Sequence, residues 1–337
     1  MKNPLLVFNS NGIYCPKGDF YIDPWKPVDK AIITHAHSDH AKAGHRHYLS
    51  HHDSKSILKQ RLGWEIKLET KDYGEIIKIN EVKVSLHPAG HILGSAQIRV
   101  EAGGEVWCVS GDYKTQPDPI AVNFEPVPCH TFITECTFGL PVYQWPDEAE
   151  TITQIENWWK ENQQKGKISL ISAYSLGKAQ RILALIDQSI GKIYCHGAVH
   201  TVNELYKRAK KLQGHFPYLS SEIKKEALIG TLIIAPPSAV GSSWAGKLKP
   251  LSVGAVSGWM MLRGSKRRQN VDRGFILSDH ADWQGLNKAI RQTQSENVIC
   301  THGYAEVFAE WLNQNGYNGM SEKTFFESEN SEVDIEN

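Results

Sequence analysis

Short runs of apolar residues in strand-like spacing open and close this chain, while longer segments with helical spacing fill its middle. Leu5-Leu6-Val7-Phe8, a turn over Asn9 to Gly12, then Ile13-Tyr14 and Phe20-Tyr21-Ile22-Asp23 predict a β-rich opening. The apolar or β-branched run Ala31-Ile32-Ile33-Thr34 predicts a buried strand that ends directly at His35. From Tyr73 onward, strands are predicted over Glu75 to Ile79, Val82 to His87, Ala96 to Val100 and Glu105 to Val109. Asn80-Glu81 and Gly103-Gly104 punctuate them, as in an antiparallel or mixed sheet. Thr131-Phe132-Ile133-Thr134 adds a strand that ends at Glu135.

Beyond Pro146 the period changes. Asp147 to Gln164 carries Ile152, Ile155, Trp158 and Trp159 on one helical face, and Ile168 to Ala173 follows as a buried strand. A helix over Gly177 to Gln188, a strand over Lys192 to Cys195, a helix over Val202 to Leu212 and a strand over Thr231 to Ala235 continue the alternation. Such βαβ repetition predicts a parallel sheet flanked by helices, here a domain spanning 146–272. After Arg273 strands deliver polar residues at their ends once more: Gly274 to Leu277 and Asn297 to Cys300, each followed by a helix. Residues 1–145 and 273–326 then form the two parts of a first domain, and the acidic, apolar-poor stretch 327–337 reads as a disordered tail.

The 337 residues are 41% hydrophobic, enough for a substantial core, yet no run approaches the ~20 apolar residues of a membrane span. The N-terminal apolar run is too short for a signal peptide, so a cytoplasmic location without a membrane partner is expected. Six cysteines (Cys15, Cys108, Cys129, Cys136, Cys195, Cys300) form no CysXXCys pair and read as buried thiols in a reducing compartment. With 37 basic and 37 acidic residues, nothing in the overall charge attracts a polyanion, so nucleic-acid binding requires a local basic surface. Arg263, Lys266, Arg267 and Arg268, followed by Arg273, supply one candidate, with Trp244 and Trp259 as stacking surfaces or, more in keeping with large aromatics, as core residues.

The densest chemistry lies in Thr34-His35-Ala36-His37-Ser38-Asp39-His40, directly after the strand. In an extended segment His35 and His37 point the same way, and a turn at Ser38 aims Asp39 and His40 at a second position. Imidazole with carboxylate suits Zn²⁺, with Mn²⁺ or Fe as alternatives. Other segments end in similar residues: His91 between Gly90 and Gly94, Asp112 after Ser110-Gly111, His280 after Ser278-Asp279, and His302 after Thr301. By contrast, His45, His47, His51 and His52 lack partner spacing and read as surface histidines of a polar helix or loop. Ser175 to Lys178 reads either as a helix cap or as a phosphate site at a helix N-terminus.

His35-X-His37-X-Asp39-His40, Ala-Gly-His91-X-X-Gly-Ser and Ser-Gly-Asp112 resemble the successive metal motifs of the metallo-β-lactamase superfamily. Glu135 in Glu-Cys-Thr-Phe-Gly, Ser-Asp-His280 and Thr-His302-Gly resemble those of its β-CASP branch, which processes nucleic acids. Over nearly the whole chain the resemblance is to the bacterial ligase-associated DNA exonucleases, helped by Ser-Ala-Tyr-Ser-Leu-Gly-Lys-Ala-Gln at 172–180. It implies an α/β fold: a metallo-β-lactamase αββα sandwich interrupted by an inserted β-CASP domain.

The resemblance further implies two Zn²⁺, one held by His35, His37 and His91 and the other by Asp39, His40 and His302, with Asp112 bridging. A bridging hydroxide then attacks phosphorus, and Glu135 orients His280 toward the leaving oxygen; Asp39, Asp112, Glu135 and His280 are the catalytic set. The expected substrate is DNA, single-stranded or with an end, in repair alongside a DNA ligase and helicase. An RNA-processing β-CASP ribonuclease is the alternative, since RNA-processing members share a histidine at the position of His302. A non-catalytic nucleic-acid-binding subunit is the reading from another class, and the filled ligand positions speak against it.

Overall fold

The computed structural model describes residues 4–262, 264 and 271–324; the tail 327–337 lies outside them. Contacts divide the chain into two compact units, one of residues 4–143 with 280–324 and the other within 144–279.

In the first unit, β1 (Val7–Asn9), β2 (Gly12–Cys15), β3 (Phe20–Ile22), β4 (Lys30–Ile32), β5 (His47–His51) and β6 (Leu68–Lys71) form one sheet in chain order, with helix α1 (Lys55–Leu62) between β5 and β6. β1 to β3 are antiparallel and β3 to β6 parallel. A second sheet begins with β7 (Ile77–Ile79), β8 (Val82–Pro88), β9 (Ala96–Ala102) and β10 (Glu105–Val109), all antiparallel, and continues in parallel through β11 (Thr131–Glu135).

The second unit follows with α2 (Glu148–Gln164), β12 (Ile168–Ser172), α3 (Lys178–Leu185), β13 (Ile193–Cys195), α4 (Gly197–Arg208), β14 (Leu232–Ala235), α5 (Ser243–Gly246), β15 (Leu251–Val256) and β16 (Arg273–Phe275). Among the described residues its five strands run in the order β13-β14-β12-β15-β16, every pair parallel. Asp147 caps α2 by accepting from the Ala149 amide at 2.7 Å, and Trp158 on the buried face packs edge-on against Phe275 of β16. Because β16 pairs with β15, residues 273–279 belong with this unit, and the chain returns to the first at 280 rather than at 273. Helix α4 starts at Gly197, ahead of the expected Val202, because the His196 ring nitrogen Nδ1 accepts from the Ala198 amide.

After the second unit, α6 (Trp283–Thr293), β17 (Asn297–Thr301), α7 (Ala305–Gln314) and β18 (Asn318–Ser321) complete the first. β17 pairs in parallel with β11 and β18 with β17. Strand alternation gives this second sheet two apolar faces. Ile133 and Ile299 join Ile13, Phe20 and Ile32 in the core between the sheets, whereas Phe132, Val298 and Cys300 pack against Leu286 of α6 and Phe308 and Leu312 of α7.

Two expectations for 41–52 are corrected. Residues 41–46 are loop, but His47–His51 form β5, which runs parallel between β4 and β6 and buries Tyr48 and His51. His45 is buried beside Tyr48, and His51 stacks on Tyr73 at 3.5 Å between centroids; His47 and His52 remain exposed. All six cysteines are buried and unbridged, and burial pushes the Cys129 and Cys195 thiols up to about 12. Among the described residues no helix is long and apolar enough to cross a membrane.

Candidate metal centre

Strands of the first unit hand their chains to loops that carry the chemistry. After β4, which ends at Ile32, residues 33–41 are loop and turn, closed by the Ala41 amide donating to the His37 carbonyl at 2.8 Å. His35 and His37 therefore meet through a loop and not through strand alternation: His35 Nε2 lies 3.1 Å from His37 Nδ1. His91 joins them, its Nε2 at 3.0 Å from His37 Nδ1. Its loop is tight because Gly90 and Gly94 both have positive φ, +76° and +75°, and a Cβ on Gly94 would collide with the Ser54 backbone.

Asp112 sits at the middle. Its carboxylate is 3.5 Å from His35 Nε2, 3.8 Å from His91 Nε2, 3.4 Å from His40 Nε2 and 4.0 Å from His280 Nε2. Asp39 lies 3.5 Å from His40 Nε2, and the ring of His302 stacks on His40 at 5.4 Å. His302 takes φ +60°, a left-handed conformation that costs a non-glycine residue about 1 kcal/mol and is held here by the packed turn after β17. On the far side, His280 Nδ1–H donates to both oxygens of Glu135 at 2.8 and 2.9 Å, and the Tyr113 amide donates to Glu135 at 3.0 Å.

His35, His37, Asp39, His40, His91, Asp112, Glu135 and His280 are all nine-tenths or more buried, and His302 is partly buried. Burial, followed by the charge of His40, lowers the pKa of His35 well below the usual imidazole value. For His40 and Asp112 burial, the largest single influence, disfavours the charged form and is outweighed. Asp39, Asp112 and Asp23 together hold His40 well above 6.5, while His40, His280 and His35 hold Asp112 well below the carboxylate range.

The donor atoms form overlapping sets within 4.8 Å: His35, His37, His91, Asp112; His35, Asp39, His40; His40, Asp112, His302; and Asp112, Glu135, His280. Asp39 Oδ1 is buried and accepts no hydrogen bond among the described residues. Imidazole and carboxylate lone pairs converging in a buried space are what a divalent cation requires, and they fit Zn²⁺, Mn²⁺ or Fe. These clusters can bind metal ions.

Several residues of the site escape sequence reasoning. Asp23, at the end of β3, accepts from His40 Nδ1 at 2.7 Å and from the Thr34 amide at 2.8 Å, fixing the His40 ring so that Nε2 faces the cluster. The signal that could have found it is the same as for Asp112, a carboxylate just past a strand. From the α1 side, Arg61 Nη1 donates to the Ala36 carbonyl, and Ser54 Oγ donates to the Gly94 carbonyl at 2.8 Å, so one short region braces both histidine loops.

The nucleic-acid candidates fare differently. Ser175 and Lys178 are buried in the second unit, with Lys178 Nζ 3.4 Å from Asp279 Oδ2 and over the Tyr174 ring. As placed, Lys178 neutralises a buried carboxylate instead of facing solvent. Arg263, Lys266, Arg267 and Arg268 lie outside the described residues. Arg273 is exposed, Trp259 is half-buried, and Trp244 packs edge-on against His196.

No family model matches the chain. A probable DNA ligase of Opitutus terrae is 29% identical over 91% of this chain, which spans 30% of that protein's length. Transcription termination factor FttA of Methanosarcina mazei is 24% identical over 63% of this chain and 38% of its own length. Endoribonuclease YSH1 of Candida glabrata is 31% identical over 36% of this chain and 16% of its own. The crystal structure of a protein of unknown function from Enterococcus faecalis V583 aligns over 89% of this chain and 79% of its own with a TM-score of 0.59 at 13% identity, a likeness of fold.

Proposed function

We propose that this chain is a metal-dependent nuclease of the metallo-β-lactamase superfamily, β-CASP branch, that hydrolyses DNA phosphodiesters from an end. The observation that carries the reading is the nested donor set around Asp112 with the Glu135–His280 pair beside it. The sheet-on-sheet first unit, with α6 and α7 on the outer face, and the parallel second unit support the αββα and β-CASP assignment. Relatives named as a DNA ligase and as endoribonucleases support a nucleic-acid substrate. The ligase match extends over 91% of the chain and the endoribonuclease match over 36%, which favours DNA and a role beside a ligase.

In this reading His35, His37 and His91 would hold one ion and Asp39, His40 and His302 the other, with Asp112 within reach of both sets. Such a pair, when bound, acidifies water and draws charge from phosphoryl oxygens, worth several kcal/mol in the transition state. The protein's own residues do the rest. Asp23 keeps the His40 ring turned inward through a charge-assisted hydrogen bond. Glu135 accepts the Nδ1–H hydrogen bond of His280, so that Nε2 faces Asp112 and the substrate side, where it stabilises or protonates the leaving oxygen.

Digestion of 5′- and 3′-end-labelled single- and double-stranded DNA and RNA, wild type beside Asp112→Ala, tests this. Mononucleotides released from one end of DNA, by wild type only, are expected; internal cuts in RNA alone would support the ribonuclease reading instead. For the leaving-group role, His280→Ala is expected to lower turnover by about 10²-fold or more. Unchanged turnover with His37→Ala inactive would refute that role.

A further inference from the structure

In the second unit's parallel sheet every strand starts at the same edge, so the segments leading into β12, β14 and β15 meet there although far apart in the chain. Each brings a lysine. Lys167 immediately precedes β12, Lys249 lies two residues before β15, and Lys225 opens the 3₁₀ turn Lys225–Leu228 ahead of β14. The three line one groove of about 710 Å³, with Val240, Leu251 and Val253 among its apolar walls and, among the described residues, no Asp or Glu in its lining. Lys225 and Lys249 are exposed and Lys167 half-buried; among the described residues none of the three forms an ion pair, whereas in the same unit Lys165 pairs with Glu161 and Lys207 with Glu204.

A protein of zero net charge has gathered unneutralised ammonium groups around an apolar surface at this edge. We infer that the groove binds single-stranded nucleic acid, the lysines taking successive phosphates and the apolar wall a sugar or base face. It lies at the amino ends of the strands, the opposite edge from Ser172, where β12 leads toward Ser175 and Lys178. The inference rests on the nucleic-acid reading above and extends it: the strand has a second, sequence-independent contact outside the hydrolytic centre.

The test uses the full chain carrying Asp112→Ala, so that the probe stays intact, and measures anisotropy of a labelled oligothymidylate across a salt series. Adding Lys167→Glu, Lys225→Glu and Lys249→Glu is expected to weaken binding about 10-fold or more at low salt. The slope of log affinity against log salt should fall by about 2, from roughly 0.7 per lost phosphate contact. Lys→Gln at the same three positions, which removes charge without adding any, should act in the same direction with matched melting curves. Unchanged affinity and slope in both triple variants would overturn the groove and leave the proposed function standing. Equally, a labelled polyglutamate peptide lost by the triple variants while oligothymidylate affinity persists would overturn it in favour of an acidic protein partner. If wild-type protein digests no nucleic acid in the end-label assay, the reading beneath it fails.

Discussion

The first unit and the second each bury a cluster of ionisable side chains, and the two are built on opposite plans. In the second, Arg181, Lys178 and Asp279 are at most 2% exposed. Arg181 Nη2 lies 2.9 Å and Lys178 Nζ 3.4 Å from the Asp279 carboxylate, and Arg181 Nη1 donates to the Ser278 carbonyl at 2.6 Å. Arg181 Nη1 also lies 3.6 Å from Glu148 Oε2, so two cations face two carboxylates and the cluster neutralises itself. In the first, imidazole nitrogens and carboxylates face one another within 4.8 Å, acceptor toward acceptor, with His40 drawn to hold a proton by the three carboxylates around it. A metal ion binding there competes with that proton, because imidazole ligates only in its neutral form. Burial of charge therefore does not by itself mark a functional site; the direction in which the lone pairs point does.

The sharpest way to break the comparison is to deny the first cluster its cation. On the proposed function, Asp112→Ala, which removes the residue common to three donor sets, is expected to lose bound metal and about 10³-fold in turnover, several kcal/mol of charge stabilisation. Metal content by mass spectrometry of the native protein checks the first part independently of activity. In the second unit Asp279→Ala should instead cost about 3 kcal/mol of stability, because it removes the buried carboxylate that Lys178 and Arg181 share. Denaturant unfolding of the variant beside wild type measures it, and a loss below about 1 kcal/mol would mean that the cluster is more hydrated than its burial implies.

A smaller effect is expected from Asp23→Asn, which leaves every donor in place and weakens the charge that orients His40. Metal affinity should fall about 10- to 100-fold, read by competition with a chelating dye; equal affinity would make Asp23 a purely structural residue. Smallest is the effect of His45, which lies outside both clusters. Burial lowers its pKa to about 4, so between 6.5 and 4 the unfolded chain binds a proton that the folded chain does not. Its contribution to stability is whole above 6.5 and is lost as the pH falls toward 4. His45→Gln should flatten that part of the stability curve in chelator-treated protein, and an unchanged curve would count against the burial seen here.

Much of the fold follows from local pattern. The alternation of helix and strand after Pro146 predicts the parallel sheet that is observed, and the strand over Thr131 to Thr134 falls on β11. Local pattern fails where a distant partner supplies the burial. His51 is interior because β4 and β6 flank β5, and nothing within residues 41–52 reveals those neighbours. Likewise the residues around Lys178 suit a solvent-facing phosphate ligand or a helix cap, and only the return of the chain at Asp279, about a hundred residues later, makes Lys178 half of an ion pair.

What the sequence alone offered is the set of candidate donors, since metal-competent side chains are a property of single residues, and the ligand atoms of His35, His37, Asp39, His40, His91 and Asp112 fall in groups within 4.8 Å. What only the tertiary structure decided is which partner each charged group meets. It turned Asp23 toward His40, closed Lys178 and Arg181 on Asp279, and assembled Lys167, Lys225 and Lys249 from three separate loops. The reason is one of range. Ligand identity is a property of single residues and short motifs, whereas the field at a charged atom is set by groups a few ångströms away in space and often far away along the chain.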